Sequence, residues 1–263
     1  PPRVCFVEMG PGDGTLMADA LRAARAVPGF LGAAELVLIE TSAPLRDRQA
    51  VVLAASSPRW AVGIDEIGTD CPVIILANEV LDCLPIRQAV RTADGWRERR
   101  VGRRGFEAAE SVSIPLDGPL GAIFEFSPAT EALGREVRAL LARAGGAALF
   151  IDYGRPGPEF ADTLQAVRDH AKECPLAHPG LADLTAHVDF SAFAPGARVL
   201  TQGEFLRALG IESRAATLAG AHPAEAAKIG RQLARLTDSD QMGELFKVVG
   251  LAQNGLALPG LED

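Results

Sequence analysis

The stretch Val7-Glu8-Met9-Gly10-Pro11-Gly12-Asp13-Gly14-Thr15-Leu16 puts three glycines at alternate positions, directly after an apolar run that carries one glutamate. Glycine adopts left-handed backbone angles at little cost, so a turn of this kind lets a chain leave a buried strand and enter a helix close to a bound ligand. Val4 to Met9 reads as that strand, a largely apolar run with β-branched and aromatic residues that ends at Gly-Pro-Gly. Thr15 to Ala26 reads as the helix, with Leu16, Met17, Ala20, Leu21 and Ala24 at helical spacing and Pro28-Gly29 as its stop.

The alternation continues. Leu36 to Glu40 is a second buried strand, and Ala43 to Ala55 a second helix with Pro44 in its first turn, where a missing N–H costs nothing. Trp60 to Val62 and Val73 to Leu76 follow as strands, the latter running into Asn78-Glu79. Strands alternating with helices predict an α/β fold, a parallel doubly wound sheet with helices on both faces. The pattern then breaks. Ile86 to Thr92 and Trp96 to Val101 flank Ala93-Asp94-Gly95 and read as a β-hairpin. A helix over Pro128 to Ala144, a strand over Ala147 to Ile151, helices over Gln202 to Leu209 and Pro223 to Leu236, and a strand over Phe246 to Ala252 complete the reading. Residues 154–195, rich in Pro, His and Asp, read as a long active-site insertion. With 263 residues, no repeat and no low-complexity linker, the chain is expected to be one domain, 1–263, with insertions at about 84–126 and 154–200.

The glycines bear on which cofactor the turn serves. A dinucleotide fingerprint is GxGxxG, and its pyrophosphate sits on the open helix N-terminus. Here the spacing is GxGxG: Thr15 stands where the fingerprint has glycine, and Asp13 adds a negative charge where a phosphate would lie. S-adenosylmethionine carries no phosphate and is cationic at its sulfonium and α-ammonium, so an acid just before the glycines, Glu8, suits it. Glu40, at the tip of the second strand, is placed to accept hydrogen bonds from ribose hydroxyls, which serves NAD and S-adenosylmethionine alike. The residues favour S-adenosylmethionine; the plainer alternative is a tight turn with a chance acid. The expected cofactor contacts are Glu8, Gly10, Pro11, Gly12, Gly14, Thr15, Leu16, Glu40, Thr41, Ser42 and Asn78.

A second group follows the fourth strand. In Asn78-Glu79-Val80-Leu81-Asp82, a helical turn would put Glu79 and Asp82 on one face with Asn78 at the strand tip, where α/β sheets concentrate ligand chemistry. Such a trio can hold a polar or cationic acceptor, and two carboxylates facing a guanidinium localise its charge. Asn78, Glu79 and Asp82 are therefore the candidate catalytic residues. The alternative is that Asn78 caps a helix whose positive end the acids favour.

EMGPGDGTLMADALR, ETSAPLRDRQ, ANEVLDCLPIRQ, GGAALFIDYG, DTLQAVRDH and DLTAHVDF occur in that order, and the chain resembles the MidA family of class I S-adenosylmethionine-dependent methyltransferases over nearly its whole length. Mitochondrial members of that family methylate an arginine of a respiratory complex I subunit. The resemblance implies the Rossmann-like seven-stranded fold, a protein substrate with an arginine acceptor, and Asn78, Glu79 and Asp82 as parts of an acceptor-side loop. It also implies substrate-side roles for Tyr153, the only tyrosine, and for His187 and Asp189 of HVDF. Members carry a segment before the first strand that this sequence lacks, and the stretch between Tyr153 and Thr163 is short for the family. Since the chain begins Pro1-Pro2 almost on top of its first strand, upstream residues are expected to be missing. Rival readings are a small-molecule O- or N-methyltransferase, a dehydrogenase, and a cofactor-binding assembly factor with little catalysis.

Composition narrows the partners. A net charge of -8 argues against nucleic acid, which asks for a positive excess. No apolar run approaches the ~20 residues of a membrane-spanning helix. Cys5, Cys71, Cys83 and Cys174 form no CxxC pair and fit a reducing compartment: cytoplasm in a bacterium, mitochondrial matrix in eukaryotic relatives. His170, Cys174, His178 and His187 suggest a zinc site, but Pro175 and Pro179 break the helix it would need, and no metal is expected. Arg87, Arg91, Arg97, Arg99, Arg100, Arg103 and Arg104 crowd the hairpin and read first as a solvated face, second as a docking surface for an acidic partner.

Overall fold

The computed structural model describes residues 3–169, 171–253 and 255–262. In chain order the elements begin with β1 (Val4–Met9), α1 (Thr15–Ala24), α2 (Phe30–Ala33), β2 (Ala34–Ile39), α3 (Ala43–Val52), β3 (Arg59–Ala61) and β4 (Val73–Asn78). Four strands follow: β5 (Arg87–Thr92), β6 (Gly95–Gly102), β7 (Gly105–Ser111) and β8 (Ile123–Phe126). Next come α4 (Pro128–Ala144), β9 (Gly146–Arg155), β10 (Gln165–Arg168), β11 (Ala171–Glu173), β12 (Asp183–Thr185), β13 (Val188–Asp189) and α5 (Phe190–Phe193). The chain closes with β14 (Val199–Thr201), α6 (Gln202–Ala208), α7 (Ile211–Ala221), α8 (Ala226–Thr237), α9 (Met242–Leu245) and β15 (Phe246–Ala252).

The chain divides into two compact units, one of residues 1–80, 134–152 and 196–263, the other of residues 81–133 and 153–195. The first is built on a sheet ordered β3-β2-β1-β4-β9-β15-β14. From β3 to β9 every pairing is parallel, and β14 runs antiparallel to β15. The order reverses between β1 and β4, the switch point at which α/β sheets bind ligands beyond their carboxyl strand ends. Strands buried on both faces explain the continuous apolar runs: Val7, Val37, Val73 and Ile75 are all inaccessible to solvent. On one face, Met17 of α1 packs with Phe6, Leu36, Leu38 and Leu53.

Gly145-Gly146 has a steric reason. Both have left-handed φ angles, +79° and +102°, and a Cβ on Gly146 would stand 2.0 Å from the Val73 carbonyl oxygen of β4. Only glycine lets α4 end and β9 start against its neighbour at this distance.

The second unit differs from the expectation of a hairpin and a long loop. The hairpin is half of a four-stranded antiparallel sheet, ordered β7-β6-β5-β8, with Ala89, Trp96 and Phe124 as its core. The 154–195 insertion forms a small sheet ordered β11-β10-β12, a short strand β13 beside the end of β9, and α5. Its strands run three or four residues, too short to leave a periodic signature. It is fastened to the larger sheet by Gln88, whose Nε2 donates to Glu125 Oε1 (2.7 Å) and Asp162 Oδ1 (2.9 Å), and by Phe160 stacked on Trp96 at 5.7 Å. Arg99 also pairs with Asp162 at 2.8 Å, while Arg87 and Arg100 pair with Glu98 at 2.7 Å each. With Arg91 beside Asp117 at 3.4 Å, four of the seven arginines of the run are paired with acids of their own unit, which leaves less charge for an outside partner.

Candidate functional site

The turn after β1 has the conformation its glycines suggest. Gly10, Gly12 and Gly14 have φ of +64°, +54° and +89°, values that residues with a Cβ rarely adopt. The Gly10 amide donates to Ile39 O of β2 at 3.0 Å, and the Gly14 amide to Pro11 O at 2.8 Å. A Cβ on Gly10 would meet Val80 Cγ2 at 2.7 Å, whereas nothing lies within 4 Å of the same position on Gly12, so one glycine admits a close neighbour and the next opens onto free space. The first amide of α1, on Thr15, is taken by Asp13 Oδ1 at 3.0 Å. A hydrogen bond from the Thr15 side chain, joined by that amide, holds the Asp13 carboxyl below its usual range, so a carboxylate already stands at the helix amide a pyrophosphate would use.

Glu8 lies beneath this turn, 2 % exposed. Burial pushes its carboxyl up to about 7, against a hydrogen bond from the Met17 amide, and its Oε2 has no hydrogen-bond partner among the described residues. Beyond β2, Glu40 is buried and held at both oxygens: Oε1 accepts the Ser42 amide at 2.7 Å and Oε2 accepts Gln49 Nε2 at 3.2 Å. Arg46 donates through Nε (2.7 Å) and Nη2 to the Glu40 carbonyl oxygen. Thr15, Leu16 and Thr41 are exposed around this end of the sheet, and Ser42 half-buried.

Gln49 escaped the sequence reading. It is fully buried on α3, and its Nε2 also donates to Gly12 O at 2.8 Å while its Oε1 accepts Trp60 Nε1 at 2.8 Å. One neutral amide therefore ties the glycine turn, the ribose-type acid and β3 together. The available signal was a glutamine on the face of α3 that packs inward, three residues after Arg46.

At the tip of β4 the anticipated helical turn is absent. Glu79 has φ of +52°, its amide donates to Ile151 O of β9 at 2.9 Å, and residues 79–86 form an irregular turn closed by the Leu84 amide on Leu81 O at 3.2 Å. Asn78 ends the strand rather than capping a helix, and its Nδ2 donates to Glu79 Oε1 at 3.1 Å. The helix reading assumed an ordinary φ at Glu79; the hydrogen bond from its amide to β9 overrides it. Glu79 is exposed, and a non-glycine residue in the left-handed region at a sheet's switch point is the kind of strain that functional sites retain.

Three further candidates meet within the second unit. The Tyr153 hydroxyl donates to Asp82 Oδ2, and the Tyr153 and His187 rings stand edge to face at 5.8 Å. Burial raises the Asp82 carboxyl while the Tyr153 hydrogen bond opposes it, and burial, aided by the Arg155 charge, lowers His187 and keeps its imidazole neutral. Asp189 has a structural duty: Oδ1 caps α5 by accepting the amides of Ser191 (2.9 Å) and Ala192 (3.3 Å) and the Ser191 hydroxyl (2.6 Å). Of the zinc group, His170 lies outside the described residues, His178 Nδ1 meets Glu173 at 3.0 Å, and Cys174 is exposed. Among the described residues no helix is long and apolar enough to cross a membrane.

The geometry is compatible with a cationic, phosphate-free nucleoside: an unmatched buried acid under the turn, an open Gly12, a buried acid fixed at the end of β2, and a carboxylate on the helix amide. A model of the family described as "Putative S-adenosyl-L-methionine-dependent methyltransferase" matches residues 1–206. The chain is 31 % identical to the mitochondrial protein arginine methyltransferase NDUFAF7 of Danio rerio, over 92 % of this chain and 67 % of that one. It is 30 % identical to the Homo sapiens protein of the same name, over 94 % and 65 %. The chain spans about two thirds of the length of these relatives. Two solved structures from Burkholderia thailandensis superpose on 99 % of the chain, a native form at TM-score 0.83 and 29 % identity, covering 76 % of that chain, and a complex with S-adenosyl-homocysteine at TM-score 0.80 and 28 % identity, covering 73 %. The sheet order and these neighbours make the fold class I methyltransferase-like.

Proposed function

The chain belongs to the family of S-adenosyl-L-methionine-dependent methyltransferases, and from that premise we propose that it methylates an arginine side chain of a protein. The observation that carries the proposal is Glu79, an exposed carboxylate in a left-handed conformation beyond β4, beside the strand that leads into the glycine turn. When bound, S-adenosylmethionine supplies a sulfonium-activated methyl group, so the chain's own task is to bind, orient and desolvate. Glu40 accepts the ribose hydroxyls, Gly10, Gly12 and Gly14 keep side chains out of the way, and Glu8 supplies negative charge to a cationic ligand. Glu79 holds the acceptor guanidinium through charge-assisted hydrogen bonds, oriented by the Asn78 amide. Carboxylate contact localises the guanidinium charge on the nitrogens it touches and leaves another nitrogen to react. Asp82 acts through the Tyr153 hydroxyl it accepts. The arginine acceptor is supported by the names of the NDUFAF7 relatives and by this chemistry.

Radiolabelled methyl transfer into an extract of cells lacking the protein, followed by acid hydrolysis, tests the reading: the label is expected in methylarginine. Glu79→Gln should keep S-adenosylmethionine affinity within about twofold and lower transfer by two orders of magnitude or more. Label recovered in a small molecule, or transfer unchanged in Glu79→Gln, would overturn the arginine assignment.

A further inference from the structure

The second unit holds a cavity of about 230 Å³ whose wall includes His187 and Asp189, expected on the substrate side, but none of Asn78, Glu79, Asp82 and Tyr153. Its wall is mainly apolar, with Leu81, Ile86, Phe124, Phe126, Val188 and Ala192, and Arg155 lies in it, 4 % exposed. A guanidinium has five N–H donors, and a buried one is costly unless they are used. Arg155 uses few of them. Its Nη2 donates to the backbone oxygen of Glu125 at 3.3 Å. Its Nη1 stands 3.8 Å from Glu125 Oε2 and 3.9 Å from Glu159 Oε1, near enough for charge attraction and too far for a hydrogen bond. Nε and Nη1 have no hydrogen-bond partner among the described residues.

Most acceptors of the wall, by contrast, are occupied. The Glu125 carboxylate accepts Gln88 Nε2 (2.7 Å), the Thr163 amide (3.0 Å), the Leu164 amide (3.2 Å) and the Thr163 hydroxyl. Asp189 Oδ1 caps α5, the Thr130 hydroxyl donates to Ser127 Oγ (2.9 Å), and the Ser127 hydroxyl donates to Pro85 O (2.8 Å). Glu131 stands at the exposed rim, and His187 brings a neutral imidazole. A cation entering here would meet Arg155 and few free acceptors, whereas a planar oxyanion would meet two unused donors of a rigid fork.

We propose that this cavity is a binding site for a small aliphatic carboxylate, whose oxygens take the unused Arg155 donors while its alkyl body lies against the Phe124–Phe126 and Val188–Ala192 wall. The site is independent of the methyl-donor reading and stands or falls without it.

Isovalerate titrated into the full chain tests it, followed by calorimetry and by the ¹⁵N resonances of arginine side chains. Saturable binding is expected, with a shift of the Arg155 Nε resonance. The neutral isostere isovaleramide should bind at least tenfold more weakly, and Arg155→Lys, which keeps the charge and loses the fork, should lose tenfold or more. Ala192→Leu fills the cavity from a half-exposed position and leaves the Arg155 contacts in place, so it should abolish binding in a folded protein even if Arg155→Lys does not fold. Isovaleramide binding as well as isovalerate, undiminished binding to Ala192→Leu, or the absence of saturable binding to the unaltered chain would each overturn the proposal, leaving water as the partner of Arg155.

Discussion

Gln49 carries no charge, yet its amide spends both N–H donors and its carbonyl oxygen on three partners around the glycine turn: Gly12, Glu40 and Trp60. Gln49→Met keeps the length and removes the bonds, leaving the Gly12 carbonyl and the Trp60 indole N–H unpartnered. The expected loss is about 1–3 kcal/mol of stability, with weaker S-adenosylmethionine binding, read by thermal unfolding and calorimetry. Glu79 poses the opposite test. A left-handed non-glycine residue costs roughly 1–2 kcal/mol, so Glu79→Gly should unfold no earlier than the unaltered chain while losing methyl transfer. Earlier unfolding would mean that Glu79 serves the fold. Glu8 adds a pH signature. Its carboxyl titrates near 7 in the folded chain against 4.5 when unperturbed, so the folded state binds the proton more tightly. The stability it contributes is full below about 4.5 and is lost as pH rises through about 7. Glu8→Gln stays neutral, so its stability relative to the unaltered chain should climb between those values by a few kcal/mol, at about 1.4 kcal/mol per pKa unit. Denaturant unfolding at pH 4 and pH 8 checks this, and a pH-independent difference would contradict it.

At the scale of elements, the most exacting joint is the start of β9. Gly146→Ala sets a Cβ against the Val73 backbone in a left-handed conformation, and neither strand can give way without losing the pairing of β4 with β9. A loss of at least ~2 kcal/mol is expected, seen as a lower midpoint in urea. The same elements show what the sequence made legible. β1, α4 and β15 have the bounds anticipated or extend them little, because a strand buried on both faces and a long amphipathic helix each write a strong pattern. α7 went unread: none of its residues is buried, so no apolar stripe marks it. The 79–82 turn was misread as helical because local spacing cannot anticipate that the Glu79 amide bonds to β9. The glycines and acids of the candidate donor site are legible as residue types at strand ends, whereas Gln49 and Arg155 stand out only through partners far away in the chain.

For the whole molecule, the order β3-β2-β1-β4-β9-β15-β14 sets the glycine turn and Asn78-Glu79 at the ends of the adjacent strands β1 and β4, at one switch point, although they lie far apart in the sequence. The second unit is where this chain departs from a bare α/β sheet, and it holds Asp82, Tyr153, His187 and the Arg155 cavity. On this account the turn after β1 receives a cationic methyl donor and not a dinucleotide. Calorimetric titration of the full chain with S-adenosylmethionine and with NAD tests it most directly. Saturable binding of S-adenosylmethionine, weakened at least tenfold by Glu40→Ala, with no measurable heat from NAD, is the predicted result; NAD binding as tight as S-adenosylmethionine, or S-adenosylmethionine binding indifferent to Glu40, would contradict it.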